Sequence, residues 1–467
     1  MTYFFETYGC QMNVAESAAA QETLRQRGWT AASSAETADL AVINTCSVRA
    51  TAESRIYGRL GWYAGLKAVR SRKPAAKPSS YPQAARRAQS GAPPLTLVVM
   101  GCMAERLLSS LQSDFPLIDH TLGTWRKDRI GEIAAALETP VCHTVTAQAA
   151  DTERVYQFPA VSHTGGVSAF VPIMHGCDNF CTYCIVPQVR GREVSRPPGA
   201  ILAELDVLAR RGVREITVLG QNVNSYRHGG LTFPGLLEKI AAHLRQSGSS
   251  IGWVRFLTSH PKDFSPALVD TLCREPLLCR HIHLPVQHGS TKILTAMNRR
   301  YSREDYLGIA ARIRGSLPDA SLSTDILVGF PGETDGDFQE TLDLVRQARF
   351  SEAYMYYYNP RAGTPAASMP EQVPLEVKKA RLQMVIDLQM GILREEMAKH
   401  IGAEVTVLAE EVSQNRKNKM ESPAIRGKTA QNQRVIFPGS ESVVNNFVKI
   451  HLTGLTGNTF RGKVNER

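Results

Sequence analysis

Over its first 140 residues the chain alternates short apolar runs with amphipathic stretches, the rhythm of strand, tight turn and helix. Three runs stand out: 3–8, closed by Gly9-Cys10; 40–44, closed by Thr45-Cys46; and 95–100, closed by Gly101-Cys102. Helical stretches follow at 14–27, stopped by Gly28, at 50–63 and at 104–111. This pattern predicts a doubly wound α/β domain whose parallel strands end along one edge, where ligand sites are built. The alternation resumes at Val167, with strands expected at 170–174, 215–219, 253–257, 281–286, 322–328 and 353–358, and helices at 200–211, 233–246, 265–274, 303–315 and 334–348. Six β/α units imply a partial (β/α)6 barrel with its chemistry at the strand C-termini. Residues 374–400 read as one long helix leaving that barrel. From Ala403 the period shortens to five strands, 404–408, 424–428, 433–437, 447–452 and 459–464, which predict a small five-stranded β-barrel. The expected domains are therefore 1–140, 165–400 with the trailing helix, and 401–467, joined by a linker at 141–164.

The nine cysteines change the picture most. Cys177, Cys181 and Cys184 follow the apolar run 170–174 with C-x3-C-x2-C spacing. Three thiolates hold three irons of a cubane cluster and leave the fourth open to a cofactor, unlike the four-cysteine pattern of a passive electron carrier. Cys10, Cys46 and Cys102 are far apart in sequence, yet parallel strands bring their positions to one edge. Three strands of three ending in Cys point to a metal or cluster site rather than to small buried residues. Zinc is the rival occupant, although structural zinc normally has a fourth Cys or His. Cys142, Cys273 and Cys279 have no such setting and are expected to be bystanders. At the rim of the predicted barrel fall Gln221 and Asn222, Ser259 and His260, Gln287, Asp325 and Gly329. The Gln-Asn pair suits a ligand or a satisfied turn, and His260 suits a ligand, an acid-base group or a structural imidazole. Gly329-Phe330-Pro331-Gly332-Glu333 predicts a tight turn into the next helix. Arg190 and Arg192 suit either a ligand contact or ion pairs with Glu193 or a neighbour.

Charge adds a candidate partner. The formal net charge is +10, and residues 65–93 hold Lys67, Arg70, Arg72, Lys73, Lys77, Arg86 and Arg87 with no acidic residue. Rich in Pro, Ala and Ser, that stretch reads as a disordered basic insertion with a salt-sensitive attraction to phosphates. In the last domain Arg416, Lys417, Lys419, Arg426, Lys428 and Arg434 face only Glu421 in opposition, which suits a nucleic-acid backbone or a solvated face. The first residues lack a leader pattern, and no apolar run approaches the roughly 18 residues of a membrane span. A cytoplasmic protein with no membrane partner is expected, its cysteines serving as ligands rather than disulfides.

The motifs carry a resemblance. Tyr8-Gly9-Cys10-Gln11-Met12-Asn13, Asn44-Thr45-Cys46-Ser47-Val48-Arg49 and Met100-Gly101-Cys102-Met103-Ala104 resemble the three cluster-ligand motifs of the methylthiotransferase family. The cysteine triplet, with Ile185-Val186-Pro187 and Arg190-Gly191-Arg192-Glu193-Val194-Ser195-Arg196-Pro197 after it, resembles that family's radical S-adenosylmethionine (SAM) core, and the basic tail is similar to its TRAM domain. The resemblance spans the chain except 65–93. It implies a transferase with two 4Fe-4S clusters: one on Cys177, Cys181 and Cys184, whose open iron chelates SAM, and an auxiliary one on Cys10, Cys46 and Cys102, which presents sulfur to the substrate radical while a second SAM supplies the methyl group. Gln221, Asn222, Ser259, Gln287, Asp325 and Gly329 are then the expected SAM contacts. Leu219-Gly220-Gln221-Asn222-Val223-Asn224 is similar to the branch that modifies carbon 2 of N6-isopentenyl (dimethylallyl) adenosine at tRNA position 37, next to the anticodon. Sibling branches act on N6-threonylcarbamoyladenosine or on a ribosomal-protein aspartate. The expected partners are a tRNA anticodon stem-loop, an external electron donor and a sulfur donor, with the chain a monomer. The base would be extruded and held between the two cluster-bearing domains. Of Tyr354, Tyr356, Tyr357 and Tyr358, most are expected in barrel packing, with one available to stack on that base. A non-catalytic, metal-bearing RNA-binding protein is the reading from another class; it would need neither triplet.

Overall fold

The computed structural model describes residues 1–47, 50–71, 80–89, 93–139, 158, 161, 163, 165–413 and 423–465. They fall into two compact units. The first comprises Met1–Thr164, Phe170–Asp178 and Ile185–Arg196, and the second Gly165–Ala169, Asn179–Cys184 and Pro197–Arg467.

The first unit is built on a parallel five-stranded sheet in the order β2-β1-β3-β4-β5, with β1 at Thr2–Thr7, β2 at Thr30–Ala31, β3 at Leu40–Thr45, β4 at Thr96–Gly101 and β5 at His120–Leu122. This is a doubly wound order, and its central strands are buried on both faces. Alternation along β3 and β4 sends Ala41, Ile43, Leu97 and Val99 into one core with Ile56, Leu60 and Tyr63. Leu40, Val42, Val98 and Met100 enter the other with Leu24, Ile130 and Ile133.

The expectation of a disordered insertion at 65–93 is corrected wherever those residues are described. The helix Ala50–Ser71 runs on past Tyr63 through Lys67 and Arg70, and Pro82–Gln89 is a second helix. Leu66 and Ala84 lie in the first core, and the Trp62 and Tyr81 rings meet at 5.2 Å. The cations are tied down as well. Lys67 pairs with Asp119 at 2.6 Å, Arg87 pairs with Asp39, and Arg70 donates to the Ala38 carbonyl at 2.7 Å. A few well-spaced apolar anchors outweigh the composition of the stretch. Residues 72–79 and 90–92 lie outside the described set. The stretch expected as one helix at 104–111 is instead two short ones, Cys102–Arg106 and Leu111–Asp114.

The second unit carries the partial barrel. Glu215–Leu219 pairs in parallel with Trp253–Leu257, and Ser168 and Ala169 open the strand on its other flank. His281–His283, Ser321–Val328 and Glu352–Tyr357 form a second parallel trio, and a bridge from Val254 to Leu278 links the two. The helices are Pro198–Arg210, Phe233–Gln246, Pro266–Arg274, Arg303–Ser316 and Asp335–Ala348, with Leu375–Ala398 as the long trailing helix. Strands Glu404–Val412, Ala424–Thr429, Arg434–Pro438, Phe447–Thr456 and Thr459–Val464 close a barrel.

That closed barrel packs on the N-terminal ends of the partial barrel's strands. Trp253 meets Phe447 at 4.8 Å, and Leu408 packs with Val167, Trp253 and Cys279. Arg255 donates to the carbonyls of Thr429 and Ala430 at 2.6 and 2.7 Å. The buried Glu215 carboxylate takes Arg255 on one oxygen and Lys428 on the other, both at 2.7 Å. Removing one member of a buried ion network leaves the others desolvated and unpaired. Glu215→Gln is therefore expected to cost about 3 kcal/mol, read as a lower urea midpoint in tryptophan fluorescence. An unchanged midpoint would show that this network does not hold the two barrels together.

Candidate functional site

In the first unit the backbone register aligns the strand ends: Thr7 pairs with Asn44, Asn44 with Met100 and Thr45 with Gly101. Cys10, Cys46 and Cys102 follow directly. Asn13 ties the loops together, its amide donating to Asn44 Oδ1 and to the Thr45 carbonyl, both at 2.8 Å, while Cys10 Sγ lies 3.2 Å from Asn13 Oδ1. Thr45 Oγ1 donates to the Met100 carbonyl at 2.6 Å. Gly9, at φ +138°, has no room for a side chain, since a Cβ would stand 2.7 Å from the Cβ of Cys46. The edge that the sequence pattern implied thus brings these three motifs together.

Two charged groups beside this edge, Glu16 and Lys127, were not singled out from sequence. Glu16, one turn beyond Asn13 on the helix Gln11–Gln26, is buried and pairs with Arg190 at 2.8 Å and with Lys127. Burial alone would raise the Glu16 carboxyl; Arg190 and Lys127 overcome it and bring it down to about 2. Burial pushes the Cys102 thiol up, with Arg190 and Lys127 opposing. It also drives His175 well below the usual imidazole range, and the ring lies edge-on to Trp125 at 5.1 Å. Arg190 is thus an ion-pair residue whose partner is Glu16, not Glu193, and Arg192 pairs with Asp178 at 2.7 Å.

The loop carrying Cys177, Cys181 and Cys184 has no helix or strand between them. Gly176 is at φ +79°, where a Cβ would stand 2.0 Å from the Arg192 carbonyl, and the Cys177 amide donates to the Gly191 carbonyl at 3.1 Å. In the second unit the Cys184 amide donates to the Cys181 carbonyl at 2.9 Å, and Asn298 donates to the Phe180 carbonyl at 3.0 Å. Arg299, buried and also missed from sequence, holds the Pro285 carbonyl at 2.8 Å and points Nη1 at Cys181 Sγ, 3.4 Å away. None of the eight described cysteines is in a disulfide. Thiols with guanidinium groups beside them are a donor set suited to an anionic iron–sulfur cluster. Among the described residues, no three Cys, His, Asp or Glu side chains are gathered as ligands of a single metal ion. Structural zinc holds its sulfurs about 2.3 Å from one ion, and a cubane takes one thiolate per iron.

The rim loops after Glu215–Leu219 and Trp253–Leu257 are joined by backbone hydrogen bonds from Gly220 to Leu257 and from Val223 to Thr258. Within them lie buried polar atoms with no protein partner: Gln221 Oε1, Asn222 Oδ1, both amide atoms of Asn224, Ser259 Oγ and His260 Nε2. Asn222 uses its Nδ2 on Asp263 at 2.7 Å. Burial, with Arg299 and Lys262 adding to it, brings His260 down to about 2, so its imidazole is neutral. Such a cluster of orphaned donors and acceptors fits a polar ligand. On the other rim Gln287, at φ +71°, is held by its backbone between Asp325 and Leu327. Asp325 lies 3.8 Å from His283 and in register with Tyr354. Gly329, at φ +70°, lies against Lys378, whose Cγ would stand 2.3 Å from a Cβ there. Glu333 anchors the turn by accepting from the amides of Gly329 and Phe330.

Other expectations fare differently. Tyr358 is buried and Tyr357 half-buried, but packing does not account for Tyr354 and Tyr356, which project from alternate positions at 42% and 37% exposure. Lys428 is corrected as a nucleic-acid contact: its ammonium is occupied by Glu215 and Glu410. Arg426 pairs with Glu411 at 3.3 Å, Arg434 is exposed, and Arg416, Lys417 and Lys419 lie outside the described residues. The outward face of the closed barrel also exposes Lys449, His451, Arg461 and Lys463 on two paired strands; their alternation with buried Ile450, Leu452 and Phe460 was the available signal. Cys279 is a core residue whose thiol burial pushes up to about 12, Cys273 is exposed, and Cys142 is outside the described set.

Two family descriptions match this chain: the Radical SAM superfamily over residues 171–345, and uncharacterized protein family UPF0004 over residues 2–123. A protein of Treponema denticola named tRNA-2-methylthio-N(6)-dimethylallyladenosine synthase is 45% identical, covering 100% of both chains. Proteins of the same name from Treponema pallidum and Moorella thermoacetica are 44% and 38% identical, covering 99% and 97% of this chain and 98% and 96% of their own. Among solved structures, the radical SAM methyltransferase TsrM of Kitasatospora setae shares the fold, with a TM-score of 0.56 at 14% identity over 78% of this chain and 77% of its own. Identity sustained from end to end, together with cysteine motifs at a sheet edge and on a barrel loop, makes this chain a member of the methylthiotransferase family of radical SAM enzymes.

Proposed function

We propose that this protein methylthiolates carbon 2 of N6-dimethylallyladenosine beside the tRNA anticodon, using SAM and two 4Fe-4S clusters. The observation that carries this reading is the pairing of two separate cysteine triplets with full-length identity to synthases named for that product. When bound, the cluster on Cys177, Cys181 and Cys184 supplies one-electron cleavage of SAM, chemistry strong enough for a carbon–hydrogen bond that no side-chain acid or base can break. The chain's own residues do the rest. Arg299 offers a hydrogen bond to Cys181 Sγ, which both orients the thiolate and tunes the cluster. Asn222, Asn224, Ser259 and Gln221 supply the unpaired polar atoms that would hold SAM at the rim. Tyr354 and Tyr356 offer ring faces suited to stacking on an unpaired purine. Lys449, Arg461 and Lys463, with Arg434 and Arg426, offer the closed barrel's charge to tRNA phosphates. Cys10, Cys46 and Cys102 would hold the auxiliary cluster that delivers the sulfur. An electron donor and a sulfur donor come from outside the chain. No helix among the described residues is long and apolar enough to cross a membrane.

Two measurements test this reading. Iron and sulfide after anaerobic reconstitution are expected to fall from about eight to about four of each per chain in Cys177→Ala/Cys181→Ala/Cys184→Ala, with methylthiolation of dimethylallyladenosine tRNA abolished. A single cluster that vanishes in the variant would remove the sulfur-transfer mechanism. Ser259→Ala and Asn224→Ala are each expected to weaken SAM binding about tenfold, as loss of one buried hydrogen bond predicts, with iron content unchanged. Unaltered SAM affinity in both would place SAM elsewhere on the rim.

A further inference from the structure

The first unit buries more positive than negative charge in one place. Arg190 is 2% exposed and Glu16 3%, and the Lys127 side chain is 11% exposed. Both cations share the one Glu16 carboxylate: Arg190 reaches its two oxygens at 2.8 and 3.3 Å, and Lys127 takes Oε1. Two cations against one anion leave one positive charge that this trio does not neutralise. His175 Nδ1 also lies against Arg190, 3.3 Å from Nη1. A buried net charge is costly unless an opposite charge stands nearby.

The geometry shows where that opposite charge belongs. Glu16 stands on the same helix as Asn13, which touches Cys10 Sγ. Arg190 ends the helix Val186–Arg190, whose Val189 packs with Ile185 against Cys102. The Val189 carbonyl accepts from Thr124 Oγ1, close in sequence to Lys127. The trio's net positive charge therefore sits beside Cys10 and Cys102, and a cluster held by thiolates is anionic.

We infer that Arg190, Lys127 and Glu16 form a charge-compensating cradle that sets the reduction potential of the cluster on Cys10, Cys46 and Cys102. The inference rests on the reading of those cysteines as cluster ligands. Arg190 and Lys127 stabilise the added electron on reduction, and Glu16 limits that effect while fixing both cations in place. They are positioning and tuning residues. The arrangement gives the auxiliary cluster a potential governed by fixed protein charge rather than by solvent.

The test uses the full chain with Cys177→Ala/Cys181→Ala/Cys184→Ala, so that only the auxiliary cluster is present, and follows a redox titration by electron paramagnetic resonance. Glu16→Gln is expected to shift the midpoint positive, Lys127→Gln to shift it negative, and the double variant to return near the parent. Lys67→Gln, which removes a pair with Asp119 elsewhere in the same unit, is expected to leave it unchanged. Equal midpoints for both single variants at full iron and sulfide content would overturn the cradle. So would shifts of the same sign, which mark general loosening of the fold. A parent protein without iron or sulfide would instead overturn the auxiliary-cluster reading itself, and the cradle with it. If Lys127→Gln fails to fold, Glu16→Gln against Glu16→Asp decides: only the charge-removing change should move the midpoint.

Discussion

Parallel pairing imposes the constraint on which both sites rest. In a parallel sheet every strand ends on the same edge, so a residue placed just past a strand meets others placed likewise, however far apart they are in sequence. Thr7, Asn44 and Met100 are aligned by backbone hydrogen bonds, and their three cysteines inherit that alignment. Thiols delivered this way need no loop to find them. The Asn13 amide then locks neighbouring strand ends at side-chain precision. The partial barrel repeats the principle, with Gln221, Asn222 and Ser259 just past adjacent strands.

Buried charge is the second organising element, and its use differs between the units. In the second unit Glu215, Arg255 and Lys428 join the closed barrel to the strand N-termini, away from the rim. Neutralised internally by Glu215 and Glu410, Lys428 is a structural cation, and the exposed charge of the closed barrel lies at outward positions such as Arg461 and Lys463. In the first unit Glu16, Arg190 and Lys127 stop short of neutrality beside the cysteines. One network holds elements together; the other leaves a field for an anionic group to occupy. The rim of the second unit shows the same logic in neutral form. Ser259, Asn222 and Asn224 leave polar atoms without protein partners where adjacent strands end.

Much of this was legible before any coordinates. Strand positions followed from apolar runs of five or six residues, and all six barrel strands and five closed-barrel strands lie where the period shifts. The bases of error were also physical. Residues 65–93 read as disordered because composition averages over a window, whereas Leu66, Tyr81 and Ala84 anchor its described parts one contact at a time. That Lys378, from the long trailing helix, packs against Gly329 has no signature in sequence, because the two meet only when that helix docks. Most of the four tyrosines were expected in packing with one free, yet Tyr354 and Tyr356 are both exposed, because alternation predicts two faces without saying which is covered.

By itself the sequence determined the order of the main strands and helices, the class of each domain and the spacing of the two cysteine triplets, because strand periodicity and motif spacing are local properties of the chain. Tertiary structure alone decided the partners of the charged groups. Arg190 meets Glu16 across 174 positions, Arg299 meets Cys181 across 118, and Arg255 meets the Thr429 carbonyl across 174. An ion pair carries no periodic signature, and any Arg suits any Glu on paper. Which pairs form depends on which groups are desolvated together, and that is settled only when the helices and sheets have packed.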